Sequence, residues 1–158
     1  MSVVAAGTPA PDFTLRRADG SKFTNADLEG KTTVLVFYPF AFSPVCTDQL
    51  NLYEEVLERF EAEGATLYGV SCDAVWSQTA FKEKLGVSIE QLSDFEPKGA
   101  TCRAFGVYFE KGGMPTRALV MVGPDGVVQW SWEGEHPGVL PGANLIFDAL
   151  AARDEQPR

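Results

Sequence analysis

Three cysteines and a single histidine are the side chains of this 158-residue chain with the widest chemistry open to them. Cys46, Cys72 and Cys102 are too few and too widely spaced for a secreted disulfide scaffold. None forms a C-x-x-C pair, which disfavours zinc ribbons and dithiol redoxins but leaves a single reactive thiol open. One histidine, His136, argues against a multi-His metal site and against a Cys-His or Ser-His hydrolase. Thirteen basic residues against twenty-two acidic ones leave a net charge of −9. A chain of that sign repels phosphate backbones and anionic lipid, so neither nucleic acid nor a membrane surface is an expected partner. Phosphate-cradling glycine motifs are absent from the sequence, and the acidic residues of 54–63 read as a solvated helix face. His136, between Glu135 and Pro137, reads as an exposed loop residue, and Trp76, Trp130 and Trp132 as cover for core or interface edges.

Position separates Cys46 from the other two thiols. Residues 32–38 (TTVLVFY) form a continuous apolar, β-branched run, the signature of a strand buried on both faces. The run ends at Pro39. Ser43-Pro44 then supplies a cap and first-turn pair, and Leu50, Tyr53, Leu57 and Phe60 follow at helical spacing to a stop at Gly64. Cys46 therefore falls in the first turn of a helix, where free N–H groups and the positive end of the dipole favour a thiolate, with Asp48 working against it. The alternative is a small buried hydrophobe, the commoner fate of a cysteine.

The remaining elements must hold that turn in place. Residues 65–71 make a second strand and complete a right-handed strand–helix–strand unit. A helix over 76–85 stops at Gly86, and a short helix covers 100–105. Strands at 118–122 and 127–132 flank the Gly123-Pro124-Asp125-Gly126 turn, and 145–152 form a closing helix. Residues 13–15 and 22–24 around Asp19-Gly20 suggest an N-terminal hairpin. The length fits one domain, residues 1–158, of α/β class: a central mixed β-sheet flanked by helices. This order resembles the thioredoxin fold with an N-terminal β-hairpin extension. Residues 1–13 do not read as a signal peptide and no apolar stretch approaches ~20 residues, so a cytoplasmic protein is expected.

Pro39-Phe40-Ala41-Phe42-Ser43-Pro44-Val45-Cys46 matches the P-x-x-x-[T/S]-x-x-C signature of peroxiredoxins at the strand-to-helix junction. Gly7-Thr8-Pro9-Ala10-Pro11-Asp12-Phe13-Thr14-Leu15 is similar to the family's N-terminal segment. Leu92-Ser93-Asp94-Phe95 with Ala104-Phe105-Gly106-Val107, and Arg117-Ala118-Leu119-Val120 with Pro124-Asp125-Gly126, extend the resemblance over nearly the whole chain. Among subgroups it is nearest to alkyl hydroperoxide reductase E and peroxiredoxin Q.

The resemblance implies a thiol peroxidase acting on hydrogen peroxide, organic hydroperoxides or peroxynitrite, with no cofactor and no metal. Cys46 would be the peroxidatic nucleophile. Ser43 would orient the peroxide or simply cap the helix, Arg117 would stabilise thiolate and transition state, and Pro39 would shield the pocket. The family commonly has a glutamate three residues after the nucleophile, where this chain has Gln49. An amide accepts a bond from Arg117 without neutralising it, which predicts a looser arginine with a stronger field at Cys46. Cys102 lies in a segment that resembles the resolving-cysteine helix of some peroxiredoxin Q enzymes. This favours a Cys46–Cys102 disulfide formed after local unwinding; the alternative is a one-cysteine enzyme resolved from outside. Cys72 is left to packing. The implied partners are a peroxide, a reducing thiol or redoxin (thioredoxin, mycoredoxin or glutaredoxin, or a low-molecular-weight thiol) and a second copy in a homodimer. Met114-Pro115-Thr116 keeps a thiol-disulfide oxidoreductase open as a second reading, and a noncatalytic binding module is a third.

Overall fold

The computed structural model describes residues 2–154. In chain order its elements are β1 (Thr14–Arg16), β2 (Lys22–Thr24), a 3-10 turn (Asn25–Leu28), β3 (Thr32–Phe37), α1 (Pro44–Glu55), α2 (Leu57–Ala62), β4 (Ala65–Ser71) and α3 (Val75–Leu85). They continue with β5 (Glu90–Ser93), α4 (Ala100–Ala104), β6 (Tyr108–Phe109), β7 (Met114–Pro115), β8 (Ala118–Val122), β9 (Val128–Glu133) and α5 (Ala143–Asp154). Seven strands form one sheet in the order β2-β1-β5-β4-β3-β8-β9, and β6 pairs with β7 apart from it. β3, β4 and β5 run parallel, while β8, β9 and the N-terminal hairpin are antiparallel to their neighbours. The mixed sheet with helices on both faces is the expected class.

Alternation along the central strands sends side chains into two separate cores. Leu35 and Phe37 of β3 and Val120 and Val122 of β8 pack with Leu15, Phe23, Cys72, Cys102 and Phe105. Val34 and Val36 of β3 and Leu119 and Met121 of β8 pack with Cys46, Leu50, Tyr53, Phe60, Phe81 and Ile146. The sheet therefore carries α4 on one face and α1, α2, α3 and α5 on the other. All six residues of β3 are buried, as a strand covered on both faces requires.

Three expectations are corrected. The single helix read from residue 44 to Gly64 is two helices, broken at Val56 (φ −117°, ψ 16°). The i, i+3, i+4 spacing runs on across the break, so the pattern could not mark it. Tertiary contacts decide instead: Tyr53 and Phe60 meet edge to face at 6.4 Å, and Phe60 stacks on Phe147 of α5 at 4.3 Å. The last strand begins at Val128 because the ladder with β8 shifts register between Met121 and Val122, while Val127 bridges to Pro9. The closing helix spans Ala143–Asp154, wider than 145–152. The β6–β7 ladder, two residues a strand, was not read from the sequence at all.

Candidate active site

β3 delivers the chain to the site and α1 carries its thiol. Phe42 adopts a left-handed φ of 71°, the one non-glycine residue with positive φ among those described, in the turn between the two. Such backbone strain is costly and concentrates at functional turns. Ser43 is extended (φ −69°, ψ 148°), as a residue before proline must be, and Pro44 opens α1 at a position where a missing N–H costs nothing. Thr47 N–H to Ser43 O, at 3.0 Å, is the first bond of the helix, so the N–H groups of Val45 and Cys46 precede the ladder. Cys46 is completely buried. Asp48 is exposed, where solvent screens its charge.

The turn is fastened from β4. Asp73, just past the end of that strand, accepts the Ala41 N–H at 2.9 Å and the Ser71 hydroxyl at 2.7 Å with one carboxylate oxygen. Pro39 is buried beneath the turn. Ser43 makes no side-chain cap bond; its hydroxyl donates to Phe40 O at 2.9 Å. The helix-cap reading of Ser43 is thus replaced by a bond within the turn that directs the hydroxyl proton away and leaves its lone pairs to accept.

Arg117 closes the site from the start of β8, on the sheet face that also carries Leu119 and Met121. Arg117 as a whole is 2% exposed. Nη2 lies 3.2 Å from Cys46 Sγ, Nη1 donates to Gln49 Oε1 at 2.6 Å, and Nε donates to Pro137 O at 2.7 Å. No carboxylate pairs with it among the described residues. A buried cation is strongly disfavoured without a counter-charge, and the group in contact that could supply one is the sulfur of Cys46.

The looser arginine expected from Gln49 is not what the geometry shows. Gln49 Nε2 donates to Tyr53 Oη at 3.2 Å, and Tyr53 donates to Pro141 O at 2.8 Å. An amide, unlike a carboxylate, has a wrong orientation available, and Tyr53 removes it by taking the nitrogen side. Burial pushes the Tyr53 phenol up to about 12, against the opposing pull of Gln49 and the Arg117 charge, so it stays a donor to Pro141. Loop 134–142 thereby holds Arg117 and Tyr53 together through two carbonyls. Tyr53, Asp73 and this loop were missed in the sequence. For Tyr53 a signal existed, since it lies four residues after Gln49 on the same helical face.

The structure does not bring Cys102 to Cys46. Cys102 is buried in α4 against the opposite face of the sheet, within the other core. Its neighbours are Cys72 and Asp94, with ligand atoms of the three groups all within 4.8 Å of one another. Met114-Pro115-Thr116 is occupied structurally: β7 pairs with β6, Thr116 N–H bonds Val107 O at 2.7 Å and its hydroxyl donates to Glu133 at 2.7 Å. His136 is exposed, as expected. Trp130 and Trp132 pack against the second core, whereas Trp76 is 84% exposed.

The chain is similar to known proteins over most of its length. A sequence profile described as the AhpC/TSA family matches residues 6–131. Over 147 residues the chain is 33% identical to an alkyl hydroperoxide reductase E of Mycobacterium tuberculosis, covering 92% of this chain and 95% of that protein. It is 32% identical over 133 residues to a chloroplastic peroxiredoxin Q of Oryza sativa subsp. japonica, covering 84% of this chain and 60% of the other. Its fold superposes on the crystal structure of Enterococcus faecalis AhpC with a TM-score of 0.85 at 26% identity, covering 98% and 94% of the two chains. Against a Mycobacterium tuberculosis peroxidoxin, BcpB, the TM-score is 0.80 at 26% identity, covering 97% and 98%.

Proposed function

The chain belongs to the AhpC/TSA family and is a peroxiredoxin, a thiol-dependent peroxidase; from that premise we propose that Cys46 is the thiol that reduces the peroxide. The observation that carries this reading is the buried Arg117 guanidinium, 3.2 Å from Sγ and without a carboxylate. Local positive charge, rather than a histidine base, is what the site sets beside the reacting sulfur. The thiolate attacks one peroxide oxygen in line with the O–O bond. An S–O bond forms, the O–O bond breaks, and the departing alkoxide or hydroxide takes up a proton as alcohol or water, leaving Cys46 sulfenic acid. Arg117 faces the charge as it moves from sulfur to oxygen, Ser43 Oγ accepts from the peroxide hydroxyl, and buried Pro39 excludes water. Hydrogen peroxide and organic hydroperoxides fit this scheme, and peroxynitrite fits it with nitrite as the leaving group; no cofactor or metal is needed.

For the second half-reaction we favour an external reductant over Cys102. The sheet between the two cysteines supports this choice, since a Cys46–Cys102 bond would require α1 or α4 to leave its core. A thiol or redoxin, whether thioredoxin, mycoredoxin or glutaredoxin, or a low-molecular-weight thiol, attacks the sulfenic sulfur and expels water. A second thiol then releases Cys46. Such a cycle needs a reducing compartment, which a cytoplasmic location would supply. The homodimer implied by the resemblance has support in exposed Phe40, Phe42, Trp76 and Phe95, which follow the carboxyl ends of the adjacent strands β3, β4 and β5.

Stopped-flow mixing with hydrogen peroxide tests the assignment. Peroxide consumption far faster than by free cysteine, lost in Cys46→Ser, is expected. A parent chain no faster than free cysteine overturns it and returns the noncatalytic reading.

A further inference from the structure

Cys72 and Cys102 occupy the core opposite Cys46, at the place where β4 ends against α4. Their sulfurs and a carboxylate oxygen of Asp94 are mutually within 4.8 Å. A disulfide needs ~2.05 Å between sulfurs, so at most ~2.8 Å must be closed, and one χ1 rotation of a cysteine displaces its sulfur by about 3 Å. Asp94 is already committed. Its Oδ1 accepts the Thr101 N–H at 3.1 Å and its Oδ2 the Cys102 N–H at 2.8 Å, which fixes it at the head of α4 beside the thiols. Engaged in this way it is poorly placed to complete a metal site, yet well placed to take a proton.

The two thiols differ in access and in charge. Cys72 is 6% exposed and Cys102 fully buried. The Cys102 thiol is held well above its ordinary value, first by its interaction with Cys72, then by burial and by the negative charge of Asp94. Burial also holds Asp94 above the usual carboxylate range, despite its bonds from Cys102 and Thr101, and so makes it the stronger base. α4 is only five residues long and is bounded by Gly99 (φ 72°) and Gly106 (φ 75°). So short a helix between two residues without side-chain restraint is a favourable place for local opening.

We propose that Cys72 and Cys102 are a second redox centre, a dithiol that closes to a disulfide on the sheet face opposite Cys46 when peroxide reaches it. Cys72, the more accessible thiol, attacks a peroxide oxygen as its proton leaves to solvent. The S–O bond forms, the O–O bond breaks, and the alkoxide or hydroxide is protonated to alcohol or water. Cys102 then gives its proton to Asp94 and attacks the Cys72 sulfur. The S–S bond forms, the S–O bond breaks, and the departing hydroxide takes the proton from Asp94 and leaves as water. In sum, two thiols and one peroxide give one disulfide, one alcohol or water and one further water. This goes beyond the reading of Cys46 and does not require that thiol.

The test uses the full chain carrying Cys46→Ser, exposed to excess hydrogen peroxide, followed by intact mass and non-reducing peptide mapping. The expected result is a mass lower by two hydrogens and a peptide joining Cys72 to Cys102. Adding Cys72→Ser or Cys102→Ser should abolish both signals. Gain of oxygen without a linked peptide, or retention of both thiols in alkylatable form, overturns the proposal. With Cys46 absent, the outcome is independent of the peroxidase assignment, which stands or falls on the parent chain's rate. Asp94→Asn keeps an acceptor for α4 but not a base, and should slow closure severalfold at neutral pH; an unchanged rate would remove Asp94 from the scheme.

Discussion

Replacing Gln49 with Glu sets a negative charge against the guanidinium that faces Cys46. In the parent, Arg117 Nη1 is 2.6 Å from Gln49 Oε1 and Nη2 is 3.2 Å from Sγ. Spanned across the guanidinium, the new carboxylate and the sulfur are roughly 6 Å apart, and two like charges at that distance repel by about 3 kcal/mol at an effective dielectric of 20. That energy corresponds to about a hundredfold in the ratio of thiolate to thiol at a fixed pH below saturation. The carboxylate also replaces an amide nitrogen that donates to Tyr53 at 3.2 Å, so the Tyr53 hydroxyl loses a donor. Thiolate absorbance in the ultraviolet across a pH series, with Cys72→Ser and Cys102→Ser in the background, isolates the Cys46 signal. Second-order rate constants with hydrogen peroxide in mildly acid buffer give an independent measure. Gln49→Glu is expected to lower both the thiolate fraction and the rate. A variant with a thiolate fraction equal to or above that of the parent would refute the idea that an uncompensated Arg117 sets the charge of Cys46.

Tyr53→Phe leaves the Pro141 carbonyl and the Gln49 amide unpaired in a buried site, a loss of about 3 kcal/mol that urea unfolding should resolve. Arg117→Lys substitutes one compact ammonium for a fork with three acceptors, and the peroxide rate constant should fall about a hundredfold with the fold intact by circular dichroism. Ser43→Ala should slow peroxide reduction roughly fivefold, the worth of one neutral hydrogen bond, while Ser43→Thr should restore it in the same stopped-flow assay. Asp94 is held above its ordinary carboxylate value, chiefly by burial. Its stabilising contribution is therefore complete below the unfolded carboxylate range and is lost as pH rises through the raised folded value. The urea midpoint of the parent relative to Asp94→Asn should accordingly decline from acid toward neutral pH.

The parts of this molecule written locally in its sequence were readable. The apolar run of β3, the proline stop, the Ser43-Pro44 helix start and the Asp125-Gly126 turn each rest on neighbouring residues, and each stands where expected. What was not readable depends on packing between distant segments. The break at Val56 exists because Phe60 stacks on Phe147 far along the chain, while Leu50, Tyr53, Leu57 and Phe60 continue a helical period across it. The orientation of the Gln49 amide depends on Tyr53 and on the Pro141 carbonyl, brought in by a loop with no motif of its own. The separation of Cys102 from Cys46 follows from sheet parity, because the two cysteines lie in the first turns of helices on opposite faces. Chain spacing carries no information about that.

That parity also explains how one chain can hold two kinds of thiol chemistry. Cys46 sits at a helix start with a guanidinium in contact that pairs with no carboxylate among the described residues, a setting suited to fast attack. Cys102 also sits in the first turn of a helix, α4, yet its contacts are a carboxylate and a second thiol, which hold its proton in place. The position in the helix is shared; the charge brought up by the rest of the fold is opposite. Helix position alone is therefore insufficient to nominate a reactive cysteine. Peptide mapping after brief iodoacetamide treatment of the parent at neutral pH should accordingly find Cys46 alkylated well ahead of Cys102; equal labelling of the two would refute the role given to the surrounding charge.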